Sequence, residues 1–317
     1  MSSGRAKRDA GFVLVCVLWV VALLTVLTLG FGRRATLDRR AAAYSLDHSV
    51  AMSAARGAVE RGVLEIANRG VKMRLLRPDQ RGGTHLGEEW ANIKNLYQES
   101  VFQETEGMED DQVSYIITDE DRLINVNAAP QELLEELDVL SRTLVRRIMA
   151  RREREERPGE GVSLFQAVEE LRYLRGMDDD DWFGEKGDPG LKDLMTVWGD
   201  ARINVNTAPR AVLNALPRAR KGDLDAIIQY RAGPDGELNT PDDQGFKDME
   251  DLSQKTGVQG VTREALDKYC KCDSMYFKIT GFATRRKGRI RAVCSAVVAV
   301  SDGLPLILDW QEKTLGS

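Results

Sequence analysis

The clearest candidate for ligand chemistry in the sequence is an acidic loop over residues 233–243. Five of its side chains end in carboxylate or amide oxygens: Asp235, Glu237, Asn239, Asp242 and Asp243. Hard oxygen ligands at alternating positions are those that calcium prefers. The loop is not an EF-hand, because its sixth position would be Thr240 instead of glycine and its twelfth Phe246 instead of glutamate. Two interpretations stay open, a calcium site and a solvated acidic turn.

Other reactive side chains give little support for an enzyme. Neither His48 nor His85 has a serine nearby in a recognisable nucleophile motif, which argues against zinc and Ser-His-Asp chemistry. Four cysteines are too few for a disulfide scaffold. In an oxidising compartment either Cys270 or Cys272 could pair with Cys294 and leave one free thiol. The net charge of −5 and the pI of about 5.4 argue against a general nucleic-acid binder.

The N-terminal region contains one long apolar segment. Residues 12–32 read FVLVCVLWVVALLTVLTLGFG and include no charged side chain. As a helix they would extend about 30 Å, the thickness of a bilayer's hydrocarbon core. An alanine-rich stretch with helical spacing follows, so we predict one helix over 12–68 whose residues 12–32 cross a membrane. Its expected apolar face consists of Leu37, Tyr44, Met52, Val59, Leu64 and Ile66. Basic residues flank the span on both sides, so they do not fix its orientation.

The middle of the chain contains an internal repeat. Ile-Asn-Val-Asn occurs at 124–127 and again at 203–206, and a proline follows each copy, Pro130 and Pro209. Apolar helical patterns follow both copies, so two repeats of one helical unit are predicted, about 122–200 and 201–272. Asn127 and Thr207 are the expected helix caps, and each proline should lie in the first turn. The paired asparagines should hold the preceding loops through side-chain-to-backbone hydrogen bonds.

The repeated unit is similar to helix-hairpin-helix and SAM-like modules, some of which bind DNA. DNA-binding hairpins generally use a Gly-x-Gly turn, so that backbone N–H groups can approach a phosphate. The corresponding turns, 138–142 and 217–222, lack the glycine pair. We therefore expect no nucleic-acid partner, although a basic turn at Arg218, Arg220 and Lys221 keeps the alternative open.

Strand patterns occur on both sides of the repeats. One strand is predicted over 112–118, and three more over 275–284, 289–300 and 305–310. The order predicts an α+β fold: a long N-terminal transmembrane helix, a small antiparallel pilin-like sheet, and an inserted all-α domain over 120–272. The sheet domain would comprise 69–119 and 273–317. Its loop-rich connector has three candidate apolar anchors, Trp90, Leu96 and Phe102.

The junction before the apolar segment resembles the signal of type IV prepilins. A short basic leader, residues 1–11, ends in Asp9-Ala10-Gly11, and Phe12 begins the apolar run. In that family an inner-membrane peptidase cuts after the glycine and methylates the new amino terminus. The resemblance implies cleavage between Gly11 and Phe12, with the helix retained as a membrane anchor.

The fifth residue after this junction indicates a subgroup of the family. Most pilin-like proteins have a glutamate there, and a carboxylate in lipid is kept only where it meets a partner. Here the fifth residue is Cys16. The missing acid and the duplicated insert together resemble the K-type minor pseudopilin of type II secretion, also called general secretion pathway protein K.

This resemblance implies a non-enzymatic assembly subunit in the bacterial inner membrane, single-pass, with its C-terminal domain in the periplasm. It would sit at the pseudopilus tip and initiate assembly for protein export across the outer membrane. The implied partners are I- and J-type minor pseudopilins, the major pseudopilin, the inner-membrane assembly platform and the prepilin peptidase. Calcium is the one implied candidate cofactor. Two alternatives remain, a membrane-anchored DNA-uptake protein and a single-span protein that keeps its leader.

We predict processing at the Gly11–Phe12 junction. In cells with an active prepilin peptidase the mature chain should begin with methylated Phe12, and Gly11→Val should block cleavage. Intact-mass measurement of the membrane-extracted chain tests this, with the Gly11→Val chain as the uncut reference. Recovery of full-length wild-type chain would contradict the prediction.

Overall fold

The computed structural model describes the backbone of residues 3–77, 81–91, 112–155, 164–286, 288–301 and 303–315. Side chains are described from Phe12 onward within these ranges, except at 154, 155, 314 and 315. The leader side chains, Leu96 and Phe102 lie outside the described residues. Of the candidate anchors, Trp90 is described and is buried.

The first element is one helix, α1, over Ser3–Leu75. It extends the predicted 12–68 helix at both ends, since neither proline nor a local turn signal interrupts it before Pro78. Lys72 and Arg74 lie in its last turn, where their positive charges interact favourably with the negative end of the helix dipole. In the part of the chain that the structure describes, it is the one helix apolar and long enough to cross a membrane, and an 18-residue window within it has a mean hydropathy of 2.9.

Among the described residues, only the later part of α1 packs against the rest of the protein. Met52, Val59 and Ile66, spaced by seven residues, are buried there. The prediction for Leu37, Tyr44 and Leu64 was wrong, because all three are exposed. The first two precede the point where α1 meets the sheet, and Leu64, two positions before Ile66, points away from that face.

The remaining helices and strands are short, apart from the main sheet. In chain order the helices after α1 are Gln131–Glu135, Arg142–Glu155, Asp179–Phe183, Leu191–Leu194, Arg210–Asn214, Lys221–Arg231, Met249–Thr256 and Gly260–Tyr269, with 3-10 turns at Glu89–Ala91 and Val168–Tyr173. The strands are β1 Gln112–Asp119, β2 Ile124–Asn125, β3 Met195–Thr196, β4 Ile203–Asn204, β5 Cys270–Lys271, β6 Tyr276–Arg285, β7 Ile290–Ser301 and β8 Leu304–Leu315.

The main sheet is antiparallel in the order β1-β6-β7-β8, as the α+β prediction requires. The predicted face of β7 is buried: Ile290, Ala292, Cys294, Ala296 and Val298. Together with β6 it packs against α1. The approach is close at Gly281, where an added Cβ would collide with the carbonyl oxygen of Ala55. A residue without a side chain is therefore required at the crossing of α1 and β6.

Each repeat of the insert is closed by a two-residue parallel ladder. Ile124 pairs with Met195 in the first copy, and Ile203 pairs with Cys270 in the second. The sequence analysis did not predict these ladders. The Ile-Asn-Val-Asn motif thus forms a strand in both copies, and each strand pairs with the end of its own repeat.

Two separate apolar clusters form the cores. One lies within the repeats and includes Cys270 and Cys272; the other lies between α1 and the sheet and includes Cys294. All three cysteines are buried free thiols. The pairing of Cys270 or Cys272 with Cys294, which the sequence left open, is therefore not formed, because these two cysteines and Cys294 belong to different cores.

Candidate functional site

The asparagines of the repeated motif bind backbone groups, as predicted. Asn127 Oδ1 accepts the N–H of Phe165 at 3.0 Å, and its Nδ2 donates to the same residue's carbonyl at 2.9 Å. Asn206 repeats this with Phe246, at 2.8 and 2.9 Å. Each side-chain amide therefore pairs with both the N–H and the carbonyl group of one residue, as the backbone of a neighbouring strand would.

The predicted helix caps were wrong. Pro130 and Pro209 occupy the N-cap positions, and no side chain caps either helix. Asn127 is engaged with Phe165, and Thr207 Oγ1 donates to Asp119 Oδ2 at 2.5 Å. Both side chains are used for tertiary contacts, which sequence-local capping rules do not anticipate.

A pair of arginines that the sequence analysis missed supports both motif loops. Arg152 donates to the carbonyl oxygens of Val126 and, at 2.6 Å, Ala129. Arg231 lies 79 positions after Arg152 and donates to the carbonyl oxygen of Ala208 at 2.7 Å. Ala208 in turn lies 79 positions after Ala129. The repeat spacing was the available signal, because it aligns the two arginines.

The sheet and the insert meet at a buried carboxylate, Asp119, the last residue of β1. Its Oδ2 accepts hydrogen bonds from Asn204 Nδ2 at 3.0 Å, Ser274 Oγ at 2.6 Å and Thr207 Oγ1 at 2.5 Å. Its Oδ1 accepts the N–H of Asp121 at 2.9 Å. Four donors, three within the insert and one in the segment that follows it, thus converge on one carboxyl group. We call Asp119 and these four donor residues the joint.

Two more buried acids follow directly in the sequence. Glu120 accepts the hydroxyl of Thr196 at 2.6 Å. Asp121 accepts the N–H of Met275 at 2.7 Å and forms an ion pair with Lys271 at 2.9 Å. These contacts hold both ends of the insert at the same place, where the chain leaves the sheet and returns to it.

The joint also reaches the end of α1. The carbonyl oxygen of Thr84 accepts Asn204 Nδ2 at 3.1 Å, and its hydroxyl accepts the N–H of Ser274 at 3.0 Å. Arg69 of α1 donates to the same hydroxyl at 3.0 Å and pairs with Glu88 at 2.6 Å. A continuous polar network therefore connects the anchor helix, the sheet and the second repeat.

Burial makes the charged form of the Asp119 carboxyl costly. It raises the pKa of Asp119 to about 6, and the nearby charge of Asp121 acts in the same direction. The hydroxyls of Ser274 and Thr207 partly offset this, because they stabilise the carboxylate. Burial also raises the pKa of Asp121, against the opposing effect of Lys271.

The acidic loop places its carboxylates around its own backbone. Asp235 accepts the N–H of Glu237 at 2.8 Å, and Asp243 accepts the N–H of Asn239 at 2.7 Å. Asp242 Oδ1 and Asp243 Oδ1 lie 2.7 and 3.3 Å from the hydroxyl of Thr240. Among the described residues no three acidic, histidine or cysteine side chains converge as a metal cluster. Calcium binding at Asp235, Glu237, Asn239, Asp242 and Asp243 stays a prediction.

Cys16 lies in the exposed apolar part of α1. Its side chain is exposed, as are the large apolar residues around it, such as Val15 and Leu18. In the described chain nothing covers this segment, so it is available to lipid or to other helices.

The fold defines a class: a pilin-like protein with a long apolar N-terminal helix and a duplicated helical insert between two strands of its sheet. A family model described as type II secretion system (T2SS), protein K, matches residues 203–269. This segment runs from β4 to the last helix of the second repeat. The comparison with curated proteins gives no significant match.

A solved structure shares the fold. It is the crystal structure of the GspK–GspI–GspJ complex from the enterotoxigenic Escherichia coli type 2 secretion system, matched with a TM-score of 0.56 at 16% identity. The match covers 89% of this chain and 99% of that chain. The matched segment and the shared fold support the resemblance to the K-type minor pseudopilin of type II secretion.

We predict that Asp119 makes the protein less stable as pH rises from about 4 to about 6. A carboxyl whose pKa is raised in the folded state binds its proton more tightly there, so its contribution is largest at low pH. Over this window the free energy of unfolding of wild type should fall as pH rises. The fall should be steeper than that of Asp119→Asn by up to about 1.4 kcal/mol per pH unit.

Denaturant unfolding of the detergent-solubilised full chain between pH 4 and 8 measures this difference. Asp180→Asn is the matched control, because Asp180 is exposed, and it should follow wild type. Parallel stability curves for wild type and Asp119→Asn would contradict the prediction.

Proposed function

We propose that this protein is a K-type minor pseudopilin, which occupies the tip of the type II secretion pseudopilus and initiates its assembly with I- and J-type partners. The observation that carries the proposal is the position of the insert. The joint lies beside Arg69, near the end of α1 that is remote from the membrane segment. At ~1.5 Å per residue, Arg69 is about 55 Å along the helix from Gly32.

This position has a consequence for packing in a filament. Subunits whose anchor helices run along a common axis would stack with the distal end of one beneath the next. The insert occupies that distal end, where it would collide with a subunit above. A subunit of this shape fits at the end of a filament, with partners only below it.

The anchor supports the same arrangement. In a pilin inside a filament, a fifth-residue carboxylate meets a neighbour's charged amine, which offsets its desolvation in lipid. Cys16 cannot form that ion pair. The subunit therefore lacks the attraction that draws a pilin beneath one already in place.

The similar solved structure contains GspI and GspJ together with GspK, which supports I- and J-type partners for this chain. We assign the anchor to the inner membrane and the sheet and insert to the periplasm. Cleavage and methylation at Phe12 would leave the apolar helix as the anchor.

Site-directed crosslinking along the anchor, from Val15 to Leu24, tests the filament position. Crosslinks to the I- and J-type minor pseudopilins are expected, and filaments should carry wild-type subunits only at one end. Cys16→Glu restores the missing carboxylate and should admit the subunit into the shaft. Cys16→Ser is the matched control, because it adds no charge. Wild-type subunits distributed along the shaft would refute the proposal.

The acidic loop carries a separate proposal, calcium binding. Its donor set is all oxygen, and Asp242 and Asp243 approach the same Thr240 hydroxyl, which can donate to only one of them at a time. A cation there would relieve the repulsion between the two carboxylates.

Calcium titration of the purified full chain by calorimetry should show binding that weakens at least tenfold in Asp235→Asn/Asp242→Asn. Asp178→Asn/Asp180→Asn, in the other acidic run, is the control and should bind as wild type does. Absence of heat at millimolar calcium would leave the loop as a solvated turn.

A further inference from the structure

The two repeats have the same framework but different outer surfaces. The helix Arg142–Glu155 corresponds to Lys221–Arg231 at a spacing of 79. The turn Val168–Tyr173 begins 81 positions before the helix Met249–Thr256. The helix Asp179–Phe183 begins 81 positions before the helix Gly260–Tyr269. Each exposed residue of one repeat can therefore be compared with its equivalent in the other. The second repeat serves as an internal reference for what the framework alone requires.

The first repeat has an aromatic and basic surface that the second does not share. Its members, which we call the first-repeat patch, are Arg147, Arg172, Tyr173, Arg175 and Phe183. The equivalent residues of the second repeat are Ala226, Ser253, Gln254, Thr256 and Glu264. Since the fold is kept with small and polar residues at these positions, the fold does not require the aromatic and arginine side chains of the patch.

The aromatic side chains of the patch are turned toward solvent. Tyr173 is 87% exposed and Phe183 is 49% exposed. Both belong to short elements whose other apolar residues, Leu171 and Trp182, are buried in the repeat core. An exposed tyrosine beside arginines is the composition typical of residues that dominate protein–protein binding energy.

One arginine of the patch is held in place before any partner binds. The guanidinium of Arg172 lies 5.1 Å from the ring centroid of Phe183 and pairs with Asp179 at 3.1 Å. An ordered side chain loses less conformational entropy on binding than a free one. The patch is thus partly organised for contact.

The other two arginines supply charge that the described residues do not neutralise. Arg147 Nη1 lies 2.9 Å from where a Cβ of Gly176 would be, and Gly176 follows Arg175 directly in the sequence. Neither arginine forms an ion pair within the described ranges. In the second repeat the nearby cations are paired, Lys255 with Asp251 at 2.8 Å and Arg263 with Asp267 at 2.9 Å. Unneutralised positive charge on a chain of net charge −5 indicates a negatively charged partner.

We propose that the first-repeat patch is a docking surface for a protein partner that presents carboxylates beside an apolar side chain. The carboxylates would pair with Arg147 and Arg175, and the apolar group would pack on Tyr173. A nucleic acid fits less well, because Asp178 to Asp181 begin the adjacent helix. A phosphate backbone is charged along its whole length and would meet these acids, whereas a protein partner can place its few carboxylates at the arginines alone.

Photo-crosslinking in secreting cells tests the patch with the full-length chain. Tyr173→p-benzoylphenylalanine should give one discrete protein adduct, whose crosslinked peptide has Asp or Glu beside an apolar residue. Adding Arg147→Ala and Arg175→Thr, the residues of the second repeat, should lower the adduct yield at least fivefold. The matched control is Gln254→p-benzoylphenylalanine, at the equivalent exposed position, which should give no such adduct.

Several outcomes would overturn the inference: no adduct at 173, the same adducts at 173 and 254, a yield unaffected by the arginine substitutions, an adduct with nucleic acid, or an adduct with a second copy of this chain. Crosslinks from the anchor helix report separately on the proposed tip position. If the anchor crosslinks form and the patch adduct does not, the inference fails while the proposed function stands.

Discussion

The arrangement of this protein depends on the hydrogen bonds that the carboxyl group of Asp119 accepts. Asp119 ends β1, and its donors come from the second motif loop, from the segment that returns to the sheet, and from its own following turn. Because the two apolar cores are separate clusters, this polar group and its neighbours fix how the insert sits on the sheet. Removing a charged, fully hydrogen-bonded group from such a place leaves several donors without a partner, which costs more than losing one bond.

The joint also explains how a large insertion is accommodated without disturbing the sheet. The chain leaves the sheet at Asp119 and returns at Tyr276, and the N–H of Glu120 donates to the carbonyl oxygen of Tyr276 at 2.9 Å. The ends of the insert are therefore adjacent. Duplication of the helical unit then adds its own core without altering the register between β1 and β6.

The proposed function follows from the relation of three parts. The helix α1 is exposed along its apolar segment, the sheet packs on its later turns, and the insert lies at the end remote from that segment. The same polar network connects all three through Arg69 and Thr84. In the proposed function, such a subunit would present its N-terminal helix for assembly and its insert, including the first-repeat patch, for contacts beyond the filament body.

The sequence by itself determined the long helix, the strands of the main sheet, the helical repeats and their order, but not the two-residue ladders. Uniform apolarity over residues 12–32, alternation in β7 and the recurrence of Ile-Asn-Val-Asn are local signals, and the structure follows each of them. The asparagine side chains were also predictable as loop-holding groups, because short amides bind nearby backbone.

Tertiary structure alone decided which groups meet across large sequence separations. Thr207, expected to cap a helix, contacts Asp119, and Cys270 and Cys294 lie in different cores. Leu64 matches the helical pattern but is exposed, because the sheet covers only one side of α1. Burial and pairing of this kind depend on how separate elements pack, and a linear pattern records only what each element could bury.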